Sequence, residues 1–161
     1  APVLAALERN QYRLAVCLLD IDHFKQINDT YGHAVGDAVL EQFARMARNS
    51  LREGDLLARY GGEEFAVLLH SAARGEAEQA LRRLRQACTE TAVIPEDPHF
   101  RLTFSAGICH ASGPVRLPLD TLLESADRAL YQAKHGGRDR IVHAPEHYTP
   151  DNAAPRCEGF R

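Results

Sequence analysis

Lysine is nearly missing from this 161-residue chain: Lys25 and Lys134 stand against seventeen arginines. Positive charge is not in excess either, because 22 Asp and Glu outweigh 19 Lys and Arg and leave a formal charge of -3. That balance argues against the broad basic footprint of duplex DNA or RNA binders and leaves a small anionic ligand open. No run reaches the roughly 18 apolar residues of a membrane span, and the N-terminus lacks the charged-then-apolar order of a secretory signal. The expectation is therefore a cytoplasmic location with no membrane contact by this domain. The four cysteines (Cys17, Cys88, Cys109, Cys157) form no C-x-x-C pair and meet no His at zinc-finger spacing. They read as reduced thiols, mostly buried. His143 and His147 are four residues apart, but Pro145 between them breaks the helix that would align them on one metal.

What is present is an ordinary globular composition, 45% hydrophobic and 25% charged. Chains of this size close a single core, burying on the order of 70% of the unfolded surface. Residues 1–13 read as the remnant of an N-terminal linker helix, with Val3, Leu4 and Leu7 on one face and no cap before them. The run Leu14 to Leu19 (LAVCLL) has strand length and is apolar on both faces, so Asp20 is presented at the carboxyl end of a central strand. A short helix over 23–31 is broken by the Gly32 to Gly36 stretch, and a longer one starts from Asp37 as N-cap, with Val39, Leu40, Phe43, Met46 and Ala47 on one stripe. Asp55 to Tyr60 and Phe65 to Leu69 form a hairpin through Gly61-Gly62-Glu63-Glu64, where a glycine pair permits positive φ. A helix marked by Ala77, Ala80, Leu81, Leu84 and Cys88 follows. Phe100, Leu102, Phe104, Ala106 and Ile108 alternate as a strand. A last helix, with Leu122, Leu123, Ala126, Ala129, Leu130 and Ala133 on one face, is stopped by Gly136-Gly137. Ile141 and Val142 suggest a closing edge strand. Residues 14–143 thus form one α/β domain, a central mixed sheet of about five strands flanked by helices, and 144–161 a loosely ordered C-terminal tail.

Placing the first strand beside the hairpin brings Asp20 near Glu63 and Glu64, three carboxylates at one edge of the sheet. Such clusters raise one another's pKa unless a cation sits among them. A hard, oxygen-binding metal resolves this, and Mg²⁺ suits a few carboxylates supplemented by substrate phosphates. The plainer alternative is that Glu63 and Glu64 are exposed turn residues and Asp20 caps the next helix.

Three segments, RYGGEEF (Arg59 to Phe65), LLDIDHFKQINDTYGHAVGD (Leu18 to Asp37) and YQAKHGGRDR (Tyr131 to Arg140), together resemble the GGDEF family of diguanylate cyclases, in order and with compatible spacing over roughly Leu14 to Val142. The D-x-L-T-G-L-x-N-R segment usual before the first strand is absent, so the start reads as a cut made inside a longer protein. The resemblance implies a palm-like nucleotidyl cyclase architecture with a GGEEF β-hairpin. It implies condensation of two GTP into cyclic di-GMP with release of two pyrophosphates, in an antiparallel homodimer that holds one GTP per protomer. It also implies two Mg²⁺ per active site, with Mn²⁺ as a substitute, bound by Asp20, the Ile21 carbonyl and Glu63. Glu64 then serves as a further ligand or as part of the proton path. Guanine recognition falls to Asn28 and Asp37, and phosphate binding to Lys25, Lys134 and Arg138. Gly62 lets the hairpin backbone lie close to the nucleotide. Lys134 and Arg138 can face one anion if the end of the last helix keeps its helical form.

Arg52-Glu53-Gly54-Asp55 matches the family's R-x-x-D inhibitory site, with Arg83 as a supporting arginine, so cyclic di-GMP is expected as inhibitor as well as product. Other readings are a catalytically weak cyclic di-GMP-binding sensor, or a regulatory GTP-binding module serving an attached enzyme. An unbroken GGEEF argues against a pure receptor, which has no need of a metal site.

Overall fold

The apolar run at Leu14 to Leu19 lies inside a ten-residue strand, β1 (Tyr12–Ile21). The structure, a computed structural model, describes residues 12–70, 73 and 75–149. Of the linker helix expected over residues 1–13, the first eleven residues lie outside the described residues, as do Cys157 and the end of the tail. Tyr12 and Arg13 open β1 instead. After β1 come α1 (Phe24–Tyr31), α2 (His33–Asn49), β2 (Leu56–Arg59), β3 (Glu64–His70), α3 (Glu76–Glu90), β4 (Phe104–Gly113), α4 (Leu119–His135), β5 (Ile141–His143) and β6 (His147–Tyr148). The strands make one sheet in the order β2-β3-β1-β4-β5, with β6 also on β4. β1 is antiparallel to both β3 and β4, and β5 and β6 run parallel to β4. The mixed α/β sheet expected from the sequence is thus observed, with β6 added where a loose tail was expected.

Because β1 is central, both of its faces are buried. Cys17, Leu19 and Ile21 belong to the larger core with Phe65, Val67, Phe104 and Ile108, beneath Val39, Leu40 and Phe43 of α2 and Leu81 and Leu84 of α3. The Phe43 ring stands 5.2 Å from Phe65 and 5.6 Å from Phe104, tilted and edge contacts of the kind aromatic rings prefer. Val16 and Leu18 belong to the opposite cluster with Leu122, Ala126 and Leu130 of α4. There Gly107 permits close approach, since a Cβ would lie 2.2 Å from the Ala126 carbonyl oxygen. Cys17, Cys88 and Cys109 are free and buried, and burial pushes the Cys17 and Cys88 thiols up to about 12.

Two local expectations need correction. The second helix starts at His33, not at Asp37: only Gly32, at φ 92°, breaks the chain, and Gly36 is a buried helical residue against Asn28. Its missing side chain serves packing between α1 and α2, not a turn. Phe100 and Leu102 precede β4, which begins at Phe104. The alternation in sequence records the larger core face, while Ser105 in between and Cys109 just beyond are buried too.

Candidate active site

Strand register builds the site. Asp20 stands directly opposite Glu64 across the β1–β3 pair, and the Ile21 N–H donates to the Glu63 carbonyl at 3.2 Å. The hairpin closes through residues 60–63, with the Tyr60 N–H donating to the Glu64 carbonyl at 2.8 Å. Neither Gly61 nor Gly62 takes the positive φ expected of them. A Cβ on Gly61 would meet Glu64 Oε2 at 3.1 Å, and one on Gly62 would meet nothing, so residue 62 shows bare backbone. Arg59 fastens this turn: its Nε donates to Gly61 O at 3.2 Å and Gly62 O at 3.0 Å, and a second guanidinium nitrogen reaches Gly62 O at 2.6 Å. The Arg-Tyr-Gly-Gly order is the only sequence signal for that role.

The three carboxylates do not collect as side chains. Among the described residues no group of three His, Cys, Asp or Glu is placed to hold a metal ion. Instead the Lys134 ammonium from α4 sits on Asp20 Oδ2 and 3.8 Å from Glu64 Oε1, and so takes the place between the two like charges. Burial, and then the charge of Asp20, raise the Glu64 pKa, while Lys134 opposes the shift. Asp20 is 5% exposed.

Two cavities border the hairpin, one at Glu63 of its turn and the other along its strands at Leu57, Arg59 and Phe65. One, of about 490 Å³, is lined by Asp20, Ile21, Lys25, Glu63, Lys134 and Arg138, among others. The other, of about 430 Å³, runs between α2 and the hairpin and is lined by Asp37, Leu40, Arg48, Leu57, Arg59 and Phe65, among others. Asn28 lies against Gly36, next in sequence to Asp37, and its Oδ1 is a buried acceptor with no hydrogen-bond partner among the described residues. Lys134 and Arg138 do reach one cavity, but not by helical spacing: α4 ends at His135, and a turn with φ 63° at Arg138 carries the arginine there.

Arg52, Asp55 and Arg83 lie elsewhere, near the C-terminal end of α2, where Arg83 reaches the Ser50 carbonyl and Arg52 and Asp55 pair with each other. Arg52 pairs with Glu76 at 3.0 Å and Asp55 at 3.6 Å, and donates to the His70 carbonyl at 3.3 Å. Asp55 is turned inward, accepting from the Arg52 main-chain N–H at 2.9 Å, with its side chain 4% exposed. Arg83 donates to the Ser50 carbonyl at 2.8 Å.

An antiparallel core of β3-β1-β4 with carboxylates at the end of its middle strand and a glycine hairpin beside them is a palm-like fold. The family described as diguanylate cyclase, GGDEF domain, matches residues 2–140, and the chain belongs to that family. It is 38% identical over 129 residues to diguanylate cyclase A of Treponema denticola, covering 80% of this chain and 34% of that protein. The chain thus spans about a third of that relative's length. Among solved structures it is similar to the GGDEF domain of DgcB from Caulobacter crescentus in complex with c-di-GMP, at TM-score 0.73 and 31% identity over 88% of this chain and 82% of that one. It is also similar to the active GGEEF domain of a diguanylate cyclase from Vibrio cholerae, at TM-score 0.75 and 27% identity over 89% and 90%. No helix among the described residues is long and apolar enough to cross a membrane.

Proposed function

We propose that the chain condenses two GTP molecules into cyclic di-GMP with release of two pyrophosphates, one nucleotide being held by each protomer of a homodimer. The observation that carries this is the pair of cavities on one hairpin. A chamber with the two lysines, Arg138, Asp20 and Glu63 suits a triphosphate, and a neighbouring cleft with Asp37 suits a purine. The unpartnered Asn28 Oδ1 and the Asp37 carboxylate are acceptors for the N–H groups of a guanine edge, which adenine does not offer in the same pattern.

Asp20, Glu63, Glu64 and the Ile21 carbonyl supply only hard oxygen donors, which fits Mg²⁺. The Lys134 ammonium between Asp20 and Glu64 supports a cation in that space. These residues would hold a divalent metal, which when bound would stabilise charge on the phosphates and lower the pKa of the attacking 3'-hydroxyl. Lys25, Lys134 and Arg138 neutralise the triphosphate and the departing pyrophosphate, Lys134 exchanging its carboxylate partners for phosphate. Glu64 serves as a further ligand or as part of the path for the hydroxyl proton. The Arg52–Asp55 turn with Arg83 binds product and slows turnover from outside the active site.

The test is incubation with GTP and Mg²⁺ followed by product analysis across protein concentrations. Cyclic di-GMP and pyrophosphate are expected, with specific activity falling on dilution and product lost in Glu63→Ala. Absence of product at high protein concentration refutes the proposal.

A further inference from the structure

The second aspartate of the Asp20-Ile21-Asp22 run has no part in the chemistry above, yet the residue is 4% exposed and both of its carboxylate oxygens are engaged. Oδ1 accepts from Ser105 Oγ at 2.6 Å, and Oδ2 accepts from Thr103 Oγ1 at 2.7 Å and from the Asp139 main-chain N–H at 2.9 Å. With donors on both oxygens, Asp22 is not a spare metal ligand. Two of its partners belong to β4 and the segment just before it; the third belongs to the turn that follows α4.

That turn is unusual. Arg138 and Asp139 have φ 63° and 45° in succession, a left-handed conformation that residues with a Cβ keep only where their surroundings over-determine it. The Arg138 N–H donates to the Ala133 carbonyl at 3.0 Å, and Arg140 Nε donates to the Arg138 carbonyl at 3.0 Å. Arg85 holds the Asp139 carboxylate at 3.2 Å, but both side chains are about half exposed, where an ion pair holds weakly. The Asp22 contact is buried at the acceptor and reaches the turn from the end of the strand that bears Asp20.

We propose that Asp22 is a positioning residue: its carboxylate clasps the Asp139 N–H, locks the left-handed turn, and so aims the Arg138 guanidinium into the cavity that holds Asp20 and Lys25. This rests on the phosphate role proposed for Arg138. The first aspartate of the run then meets the cation, and the second sets the arginine that meets the anion.

The test measures pyrophosphate release by the 161-residue chain against GTP concentration, at saturating Mg²⁺. Asp22→Ala should raise the KM for GTP on the order of tenfold, as expected for losing a hydrogen bond to a charged group, and change kcat less. Asp22→Asn keeps a carbonyl oxygen for the Asp139 N–H, and Ser105 can turn to accept from the new amide, so it should retain most of the affinity. Asp22→Ser, polar but too short to reach residue 139, carries the test if the alanine variant does not fold. In an Arg138→Ala background, Asp22→Ala should add no further loss. Full additivity of the two losses, or an unchanged KM in Asp22→Ala and Asp22→Ser beside a raised one in Arg138→Ala, overturns the clasp. An unchanged KM in Arg138→Ala itself overturns the phosphate role on which the clasp depends.

Discussion

Replacing Gly36 with alanine should separate recognition from stability. An added Cβ would lie 1.8 Å from Asn28 Oδ1, 2.9 Å from Asn28 Cγ and 3.3 Å from Phe24 Cζ. The first distance is about 1.5 Å short of ordinary contact, so something must move. The obstacle is the far end of a flexible side chain, not backbone, so the carboxamide can leave without α1 and α2 separating. Asn28 Oδ1 has no hydrogen-bond partner to forfeit, and alanine gains about 0.8–1.0 kcal/mol over glycine in a helix interior. The melting temperature should hold or rise. GTP loses the asparagine's hydrogen bonds to the base, worth about 1–2 kcal/mol, so its KM should rise roughly tenfold and discrimination against ATP should weaken. Differential scanning fluorimetry beside steady-state kinetics reads both effects. A lower melting temperature with an unchanged KM would refute the reasoning, making Gly36 a contact between helices and nothing more.

Glu64→Gln should alter the pH dependence of stability. The Glu64 pKa is raised, chiefly by burial and next by Asp20, so the stability tied to its protonated form is complete below the ordinary carboxylate value and is lost as pH rises through the elevated one. The Gln variant carries no such loss; its melting temperature should match the parent in acid and exceed it above that window, and parallel curves would exclude the effect. Arg52→Ala should raise the cyclic di-GMP concentration for half-inhibition about tenfold, the cost of a lost hydrogen bond to a charged group; unchanged inhibition would put the product site elsewhere. Lys134→Arg, which keeps the charge, should lower turnover, because a guanidinium fork holds Asp20 in two-point contact and gives it up less readily; undiminished activity would show that the exchange from carboxylate to phosphate does not require lysine.

Fold and site differed in how far they could be read from residues alone. The β1 run and the apolar stripes of α2, α3 and α4 declare themselves by period, because burial on one or both faces leaves a repeating record in side-chain type. Conformations set by one contact leave no such record. The turn after α4 looked like a helix end whose i, i+4 spacing would align Lys134 with Arg138, whereas the backbone leaves the helix at His135 and is held by Asp22, more than a hundred residues earlier. Gly36 looked like a breaker because glycine usually is one, yet it is helical here and makes room for Asn28. The acidic cluster was half legible: pairing across β1 and β3 was foreseeable from the hairpin, but not the lysine from α4 that came between the two carboxylates.

That lysine explains the composition better than the net charge does. Several arginines are fixed by main-chain carbonyls: Arg59 on the hairpin, Arg83 on Ser50, Arg101 on Thr89 and Pro98, Arg140 on Arg138. A rigid fork suits such fixed ties. Both lysines of the chain line the cavity proposed to hold the triphosphate, where a cation would exchange partners during turnover. An ammonium is a compact point charge on a flexible stem, and it can pass from carboxylate to phosphate without breaking a two-point contact. On the proposed reaction, lysine is thus rare here and placed where exchange, not fixation, is the requirement.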